Sequence, residues 1–349
     1  MNIKNKVVQP GVIAALGAAL LFGAGTPFAK LLLSSVSPWL LAGLLYLGSG
    51  IGLTLYRRLK RSAAVKLPRS EILWFSGAIV AGGIVGPVLL MLGLSGMPAS
   101  GASLLLNAES VFTALLAWFA FKENFDRRIA WGMGAIVAGA LVLSWPGEAR
   151  FAGLWPALAV LGACFAWGID NNLTQKVSLT DASWIASIKG LVAGTVNLVL
   201  AFALGAAWPP LPDLAGAMII GFLAYGVSLV LFVVGLRHLG TARTGAYFSV
   251  APFFGAVLAI AMGETLTVPL LIAAALMLLG VWLHLSERHQ HEHMHEVLEH
   301  AHEHTHDAHH QHAHDVPVAP GTRHSHAHRH EKLTHSHLHF PDAHHRHPH

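Results

Sequence analysis

Long apolar runs separated by short polar connections fill the first 285 residues of this chain. An apolar run of roughly 18 or more residues predicts a helix that crosses a lipid bilayer, because a helix of about 20 residues spans the hydrocarbon core. The pattern predicts ten spans, at residues 11–33, 39–56, 73–94, 101–121, 130–145, 153–173, 184–205, 214–236, 244–262 and 268–285. The predicted fold class is therefore all-α, an integral membrane protein of ten transmembrane helices.

The chain contains one five-span pattern twice. The stretches 93–125 and 235–266 both begin Gly-Leu, continue as an apolar helix and reach a glutamate near their end, and these two glutamates are 141 residues apart. Because five is an odd number, the second copy must enter the membrane upside down relative to the first. Inverted repeats of this kind are typical of secondary transporters, in which two related halves exchange inward-open and outward-open roles. We predict one repeat at 9–145 and the other at 150–285.

The composition agrees with a membrane protein and excludes several other classes. Hydrophobic residues make up 54% of the chain, charged residues 11%, and the mean hydropathy is +0.55, whereas a soluble domain carries roughly 25% charged residues. The single cysteine, Cys164, excludes a disulfide framework and a cysteine-type zinc site. No basic stripe with interleaved aromatic residues lies outside the connections, so we expect no nucleic-acid partner.

Lysine and arginine are unevenly distributed between the two sets of connections. Fifteen lie at the N-terminus, in every second connection and directly after the last span, whereas the remaining connections hold Arg150 alone. Cytoplasmic loops carry the excess of basic residues in membrane proteins. We therefore predict a multi-pass protein of the plasma (inner) membrane, surrounded by the lipid bilayer, with both termini in the cytoplasm.

Four ionisable residues lie inside predicted spans, namely Lys30, Glu109, Asp170 and Lys189. Such a group at membrane depth costs about 2.5–3.5 kcal/mol on insertion scales, so each needs a partner or a water-filled cavity. Two acids and two bases can neutralise one another, or they can recognise the two ends of a zwitterion. The alternatives are that Lys30 and Lys189 extend to an interface and that Asp170 caps the cytoplasmic end of its helix. Together with nearby polar residues, the predicted substrate cavity comprises Lys30, Asn107, Glu109, Asp170, Asn171, Asn172, Lys189, Tyr247 and Ser249.

The second copy carries a recognisable set of motifs. It has a Trp-Gly pair at 167–168, Pro252 before an apolar helical run, and Gly-Glu-Thr-Leu at 263–266. In these features the chain resembles the EamA family of the drug/metabolite transporter superfamily. The first copy departs from the family pattern, with Ser110 in place of the proline and Lys-Glu-Asn-Phe at 122–125. The resemblance implies two five-helix repeats and export of amino acids or other small metabolites, and it does not specify the substrate.

The tail from 286 to 349 differs in composition from the spans and holds 23 of the 25 histidines, mostly as His-x-His. It lacks apolar periodicity, so we expect it to be disordered and cytoplasmic. Neutral imidazoles suit zinc, nickel, cobalt and copper, and histidine-rich tracts bind such ions. The candidate metal-binding residues are His289, His291, His293, His295, His300, His302, His304, His306, His324, His326, His328 and His330. A polar low-complexity tail without function is the alternative.

Two functional hypotheses follow. The first is a secondary transporter, an exporter of small polar metabolites such as amino acids, which works by alternating access and needs no cofactor for transport. The second is a divalent metal-ion transporter, or a carrier regulated by metal through the tail. The spans contain only His238 and His284, both at helix ends, and an ion path would need ligands along its length, so the first hypothesis is favoured. No nucleophile motif indicates an enzyme and no phosphate-binding loop indicates an ATP-driven pump. The expected oligomeric state is monomer or homodimer.

Overall fold

The computed structural model describes residues 10–120, 127–144 and 154–285 and four short segments of the tail. It divides into two compact units, Met1–Glu287 and Arg288–His349. Each unit is described by itself below.

The secondary structure described in the first unit is entirely helical. A 3-10 turn at Arg69–Glu71 precedes the third span, and two segments of π-helix lie at Ile79–Val85 and Gly221–Val227. The α-helices are α1 Pro10–Leu32, α2 Pro38–Leu59, α3 Ile72–Ala78, α4 Gly86–Ser95, α5 Ala99–Leu105, α6 Ala108–Phe119, α7 Arg127–Ser144, α8 Trp155–Lys176, α9 Ala182–Ala203, α10 Leu211–Ile220, α11 Ser228–Phe248, α12 Ala251–Ala261 and α13 Val268–Leu285.

Many of these helices are long and apolar enough to cross a bilayer, which makes the chain a multi-pass membrane protein. Within the described residues, seven helical stretches have the length and composition of membrane spans, and two shorter apolar helices lie at Ala130–Val142 and Val268–Leu283. Helix α8 has 22 residues but is less apolar, because its second half carries Asp170 and a run of polar residues. The count of ten spans stays a prediction.

The duplication seen in the sequence recurs in the irregularities of the helices. The two π segments, Ile79–Val85 and Gly221–Val227, are each seven residues long and 142 residues apart. The helix that contains Asn107 is interrupted between α5 and α6, and α12 begins after a matching interruption 143 residues later. Corresponding helices also pack together, α2 against α9 and α7 against α13. The two halves therefore share one architecture.

Glycine permits the closest helix approach and the tightest turn. A Cβ added at Gly190 of α9 would lie 2.5 Å from the nitrogen of Gly50 in α2, so the two backbones meet with no room for a side chain. Within α11, Gly240 has φ 74° and ψ 176°, and the chain turns there between its eighth and ninth predicted spans. A positive φ of this kind favours glycine because it has no Cβ.

In the second unit, the described residues form four strands that pair as two antiparallel ladders. Strand β1 (His291–His295) pairs with β4 (Leu333–His337), and β2 (Leu298–His304) pairs with β3 (His324–His330). The expected disorder of the tail as a whole stays a prediction. Within the four strands, the His-x-His repeat matches the two-residue period of a strand. The register places histidine opposite histidine at 291 and 337, 293 and 335, 300 and 328, 302 and 326, and 304 and 324.

Candidate functional site

A cavity lies in the helical bundle where both repeats contribute side chains. About 440 Å³ of space not occupied by protein atoms lies among these side chains, part of it open to solvent. Its lining combines aromatic rings with a few charged and amide groups: Phe22, Tyr46, Glu109, Trp167, Asp170, Asn171, Lys189, Ala224, Tyr225, Ser228, Leu229, Phe232 and Phe248. A second, adjoining cavity shares Phe22, Glu109, Asn171 and Phe248 and adds Ser249 and Pro252.

Asp170 and Lys189 form a buried ion pair at this cavity. The side chain of Lys189 is 1% exposed and that of Asp170 is 7% exposed, and the Lys189 Nζ donates to Asp170 Oδ2. The other oxygen of Asp170 accepts a hydrogen bond of 2.8 Å from the Thr174 hydroxyl, one helical turn further along α8, where residues four apart share a face. Both oxygens of Asp170 are thus engaged by protein groups.

Glu109 is the second carboxylate at the cavity. It lies in the first turn of α6, directly after the interruption of the helix, and is 8% exposed. Its Oε1 accepts a hydrogen bond of 2.8 Å from Asn171 Nδ2, and the same amide also donates to Thr113 Oγ1 at 3.1 Å. The partner of Glu109 is therefore a neutral amide.

The π segment of the third span brings free backbone carbonyls to the cavity wall. Gly82 O accepts hydrogen bonds from the Tyr46 hydroxyl (2.6 Å) and from Trp167 Nε1 (2.9 Å), and Gly83 O accepts one from Asn197 Nδ2 (3.0 Å). Position 87, which follows these carbonyls by five and four residues, is a proline and has no N–H to offer them. Side chains from three other helices supply the missing donors, as burial of a backbone carbonyl requires.

The same π segment depends on glycine next to the ion pair. A Cβ at Gly82 would lie 1.8 Å from Asp170 Oδ2. No side chain fits between the backbone at Gly82 and the carboxylate. The backbone conformation of the third span thus determines how Asp170 can sit against it.

The structure brings five of the nine predicted site residues to the cavities: Glu109, Asp170, Asn171, Lys189 and Ser249. The Ser249 hydroxyl donates to the carbonyl of Ala246 in its own helix. Glu109 was predicted from its apolar neighbours in the sequence, and Lys189 from its position inside a predicted span.

The other four predicted site residues lie elsewhere in the bundle. Asn107 donates to Leu104 O (3.1 Å) and to Met277 Sδ (3.6 Å), so its amide faces the last helix. Asn172 donates to Thr113 O (3.0 Å) and Gly168 O (2.9 Å) and joins α6 to α8.

Tyr247 and Lys30 complete this second group. Tyr247 packs against the cluster of Val12, Ala15 and Leu239. Lys30 donates to the carbonyls at the C-terminus of α4, Leu94 at 2.7 Å and Ser95 at 3.4 Å. The two hydrogen bonds to α4 place Lys30 at one end of the bundle.

The aromatic side of the cavity was missed by the sequence interpretation. Phe22 contacts Trp167, Tyr225 and Phe248 with ring centroids 5.6, 5.7 and 5.3 Å apart, and Tyr46 contacts Tyr225 at 5.4 Å. These distances are typical of paired rings. The available signal was the pairing of Phe22-Gly23 with Trp167-Gly168 in the two repeats, which places an aromatic residue at equivalent positions.

A carboxylate caps a helix start at each end of the bundle. At the end that contains Lys30, Glu264 accepts the N–H groups of Ala99 (2.7 Å) and Ser100 (2.8 Å) at the start of α5. Burial by itself raises the pKa of Glu264, but these hydrogen bonds and the nearby Lys30 ammonium outweigh it and lower the pKa below the ordinary 4.5. Free N–H groups at a helix start favour a carboxylate.

At the opposite end, Asp181 caps α9. Its Oδ1 accepts from the Trp184 N–H at 2.9 Å, from the Ser183 hydroxyl at 2.6 Å and from Arg57 Nη1 at 2.6 Å. Burial raises the pKa of Asp181, and these hydrogen bonds together lower it below the ordinary 3.8. Both caps hold neighbouring helices together outside the predicted bilayer core.

Metal ligation finds no support in the helical unit. Among the side chains that the structure describes, no group of three or more His, Cys, Asp and Glu residues is placed to hold a metal ion. The side chains of the twelve candidate histidines of the tail lie outside the described part, and for His289 and His306 the backbone does too.

Comparison with known proteins agrees with this architecture. An "Uncharacterized transporter" of Methanothermobacter thermautotrophicus is 27% identical over 292 residues, which cover 78% of this chain and 85% of that protein. A "Probable amino-acid metabolite efflux pump" of Salmonella typhimurium is 27% identical over 287 residues, 77% of this chain and 93% of that protein. The "Uncharacterized inner membrane transporter YedA" of Escherichia coli is 24% identical over 245 residues, 66% of this chain and 76% of that protein.

A solved crystal structure has the same fold, with a TM-score of 0.62 and 16% identity over 78% of this chain and 94% of the other. The family model of the EamA-like transporters matches residues 9–145 and 154–286, so that each half of the bundle matches it once. The chain belongs to the EamA-like transporter family.

Proposed function

We propose that this transporter is a secondary exporter of small polar metabolites, such as amino acids or related compounds, that works by alternating access. The observation that carries the proposal is the cavity between the repeats, where Glu109, Asp170, Asn171 and Lys189 meet aromatic rings. Buried ionisable residues inside a membrane bundle mark substrate or ion pathways. The interruption before Glu109 and the π segment beside Asp170 support this placement, because irregular backbone at membrane depth is tolerated where it is buried in protein or lines a cavity.

The comparisons support the direction and substrate class only by analogy. One relative carries the name "Probable amino-acid metabolite efflux pump". The proposal that this chain exports similar compounds combines that name with a cavity that has both acidic and amide groups.

An export assay tests the proposal. Cells that overproduce the full chain should release amino acids or related metabolites faster than cells with an empty vector. Glu109→Gln should lower that release at least tenfold, because a buried charged contact is worth about 2–5 kcal/mol, while the protein remains in the membrane at normal abundance. Asp213→Asn is the matched control. Asp213 lies outside the cavity, and its carboxylate accepts a hydrogen bond from the Ser35 hydroxyl. Equal release by Glu109→Gln and wild type would reject the cavity as the transport site.

We further propose that the protein lies in the inner membrane with both termini in the cytoplasm and Arg150 outside. The excess of basic residues in alternate connections supports this orientation. In a variant with Cys164 replaced by alanine and a new cysteine at position 150, an impermeant thiol reagent should label intact cells. Labelling only after lysis would show that the protein has the opposite orientation.

For the tail, we propose binding of zinc, nickel, cobalt or copper as a property separate from transport. The strand register supports it, because five pairs of histidines lie opposite each other in the two ladders. Deletion of 287–349 should abolish most zinc binding and leave metabolite export intact, and binding should weaken at acidic pH because protons compete for imidazole nitrogens. Metal efflux from loaded vesicles that requires the tail would instead favour a metal-regulated or metal-transporting protein.

A further inference from the structure

The cavity lining holds two carboxylates and one ammonium group. Its charged lining residues are Glu109, Asp170 and Lys189. Lys189 is bonded to Asp170, and the second oxygen of Asp170 is occupied by Thr174. Glu109, bonded to the Asn171 amide, is left as the carboxylate without an ionic partner among the described residues.

The second lysine of the predicted site does not supply the missing charge. Lys30 donates to carbonyls at the end of α4, near Glu264, and does not line either cavity. A zwitterion needs an acid for its ammonium and a base for its carboxylate. In the described cavity the acid is present, whereas the ammonium of Lys189 is already used by Asp170.

The rest of the lining suits the body of an organic cation. Phe22, Tyr46, Trp167, Tyr225 and Phe248 surround the same space as Glu109. Aromatic faces attract an ammonium group electrostatically, most strongly where water is excluded, and they also cover apolar carbon.

We propose that the cavity selects organic monocations, primary amines with an apolar or aromatic skeleton, over zwitterionic amino acids with the same skeleton. The amine's ammonium pairs with Glu109 and its skeleton packs against the rings. This inference rests on the proposed function, because it concerns the same cavity. It narrows the proposed substrates from amino acids and related compounds to related amines that lack a free carboxylate.

An empty cavity needs one positive charge as well, and a proton can supply it. The titratable groups that face Glu109 from the surrounding helices are Asp170 and Cys164 of α8, Lys189 of α9, Tyr46 of α2 and Tyr225 of the second π segment. The ion pair of Asp170 with Lys189 is neutral as a unit. Proton and amine therefore compete for Glu109, and amine binding weakens as the pH falls.

Two probes that differ only in a carboxylate test the proposal. Radiolabelled phenethylamine and phenylalanine are added to the purified full chain in lipid nanodiscs, and binding is followed by scintillation proximity. We expect phenethylamine to bind on the order of 100-fold more tightly, because phenylalanine would bury a carboxylate without a partner. Glu109→Gln should weaken phenethylamine binding at least tenfold and remove its pH dependence, and Asp213→Asn should change neither.

Three results would overturn the inference. These are phenylalanine binding as tightly as phenethylamine, phenethylamine binding that Glu109→Gln leaves unchanged, and no saturable binding of phenethylamine by wild type. If phenylalanine binds tightly and its export depends on Glu109, the exporter proposal stands and only the substrate class falls. If Glu109→Gln exports metabolites at the wild-type rate, the cavity is rejected as the transport site. The exporter proposal itself falls if cells with the wild-type protein release metabolites no faster than cells with an empty vector.

Discussion

The buried pair of Asp170 and Lys189 should couple strongly in a double-mutant cycle. Lys189→Met leaves a 7% exposed carboxylate without its cation, and Asp170→Asn leaves a 1% exposed ammonium without its anion. Removing one partner of a buried pair typically costs about 3–5 kcal/mol, whereas replacing both by neutral groups of similar size is often close to neutral. We therefore expect each single variant to lose about 3–5 kcal/mol and the double variant about 0–2 kcal/mol.

Thermal unfolding of the detergent-solubilised protein measures these losses of stability. At about 2 °C per kcal/mol for a large domain, each single variant should melt roughly 6–10 °C below wild type and the double variant within about 4 °C of it. A partly exposed pair provides the comparison. Arg57 is 11% exposed and bonds Asp181, which is 43% exposed, at 2.6 Å. Arg57 also donates to the Ser183 hydroxyl and to the carbonyl of Ala63, so Arg57→Gln should cost about 1–2 kcal/mol, less than either buried single variant. Additive losses in the cycle, with a double variant as unstable as the sum of the singles, would show that the two charges are hydrated separately and refute the reasoning.

Two further variants test the helix irregularity and one of the end caps. Gly82→Ala should abolish transport, because the added Cβ would lie 1.8 Å from the Asp170 carboxylate. Gly134→Ala is the control and should transport normally, because no atom lies within 4 Å of its added Cβ. Normal transport by Gly82→Ala would refute the close approach of Gly82 to Asp170. The pKa of Glu264 is lowered in the folded protein, because hydrogen bonds and a nearby lysine outweigh burial. Its stabilisation is therefore complete above the ordinary value of 4.5 and is lost as the pH falls through the lower folded value. The melting temperature of wild type should fall in that acidic range, and Glu264→Gln should start lower at neutral pH and lack this loss; parallel curves would contradict the cap.

The sequence was sufficient for the features that depend on composition and period. Apolar length predicts the helices, and the spacing of about 142 residues predicts a duplicated scaffold, which the two π segments reproduce. Glu109 could be placed at the cavity because a carboxylate among apolar neighbours has few other environments inside a membrane protein.

The direction in which each side chain points was much less predictable. A helix that is apolar on all sides has no polar face to indicate its rotation. Asn107, two residues before Glu109, therefore looked equally suited to the cavity, yet the interruption between α5 and α6 turns it towards Met277. Lys30 is long enough to reach either an interface or a cavity, and only the fold shows that it bonds the end of α4.

The contrast between a duplicated scaffold and an unduplicated site suggests how the two halves divide their roles. At the offsets that relate the repeats, Glu109 corresponds to Ala251, Asp170 to Gly25 and Lys189 to Leu44. The structural irregularities are thus present in both halves, whereas the charges occur once, on α6 of the first repeat and on α8 and α9 of the second. A substrate that pairs with Glu109 would keep the same partner whichever end of the bundle is open. The repeated halves would then supply the inward-open and outward-open states. The single set of charges would bind the substrate in the same way in both states.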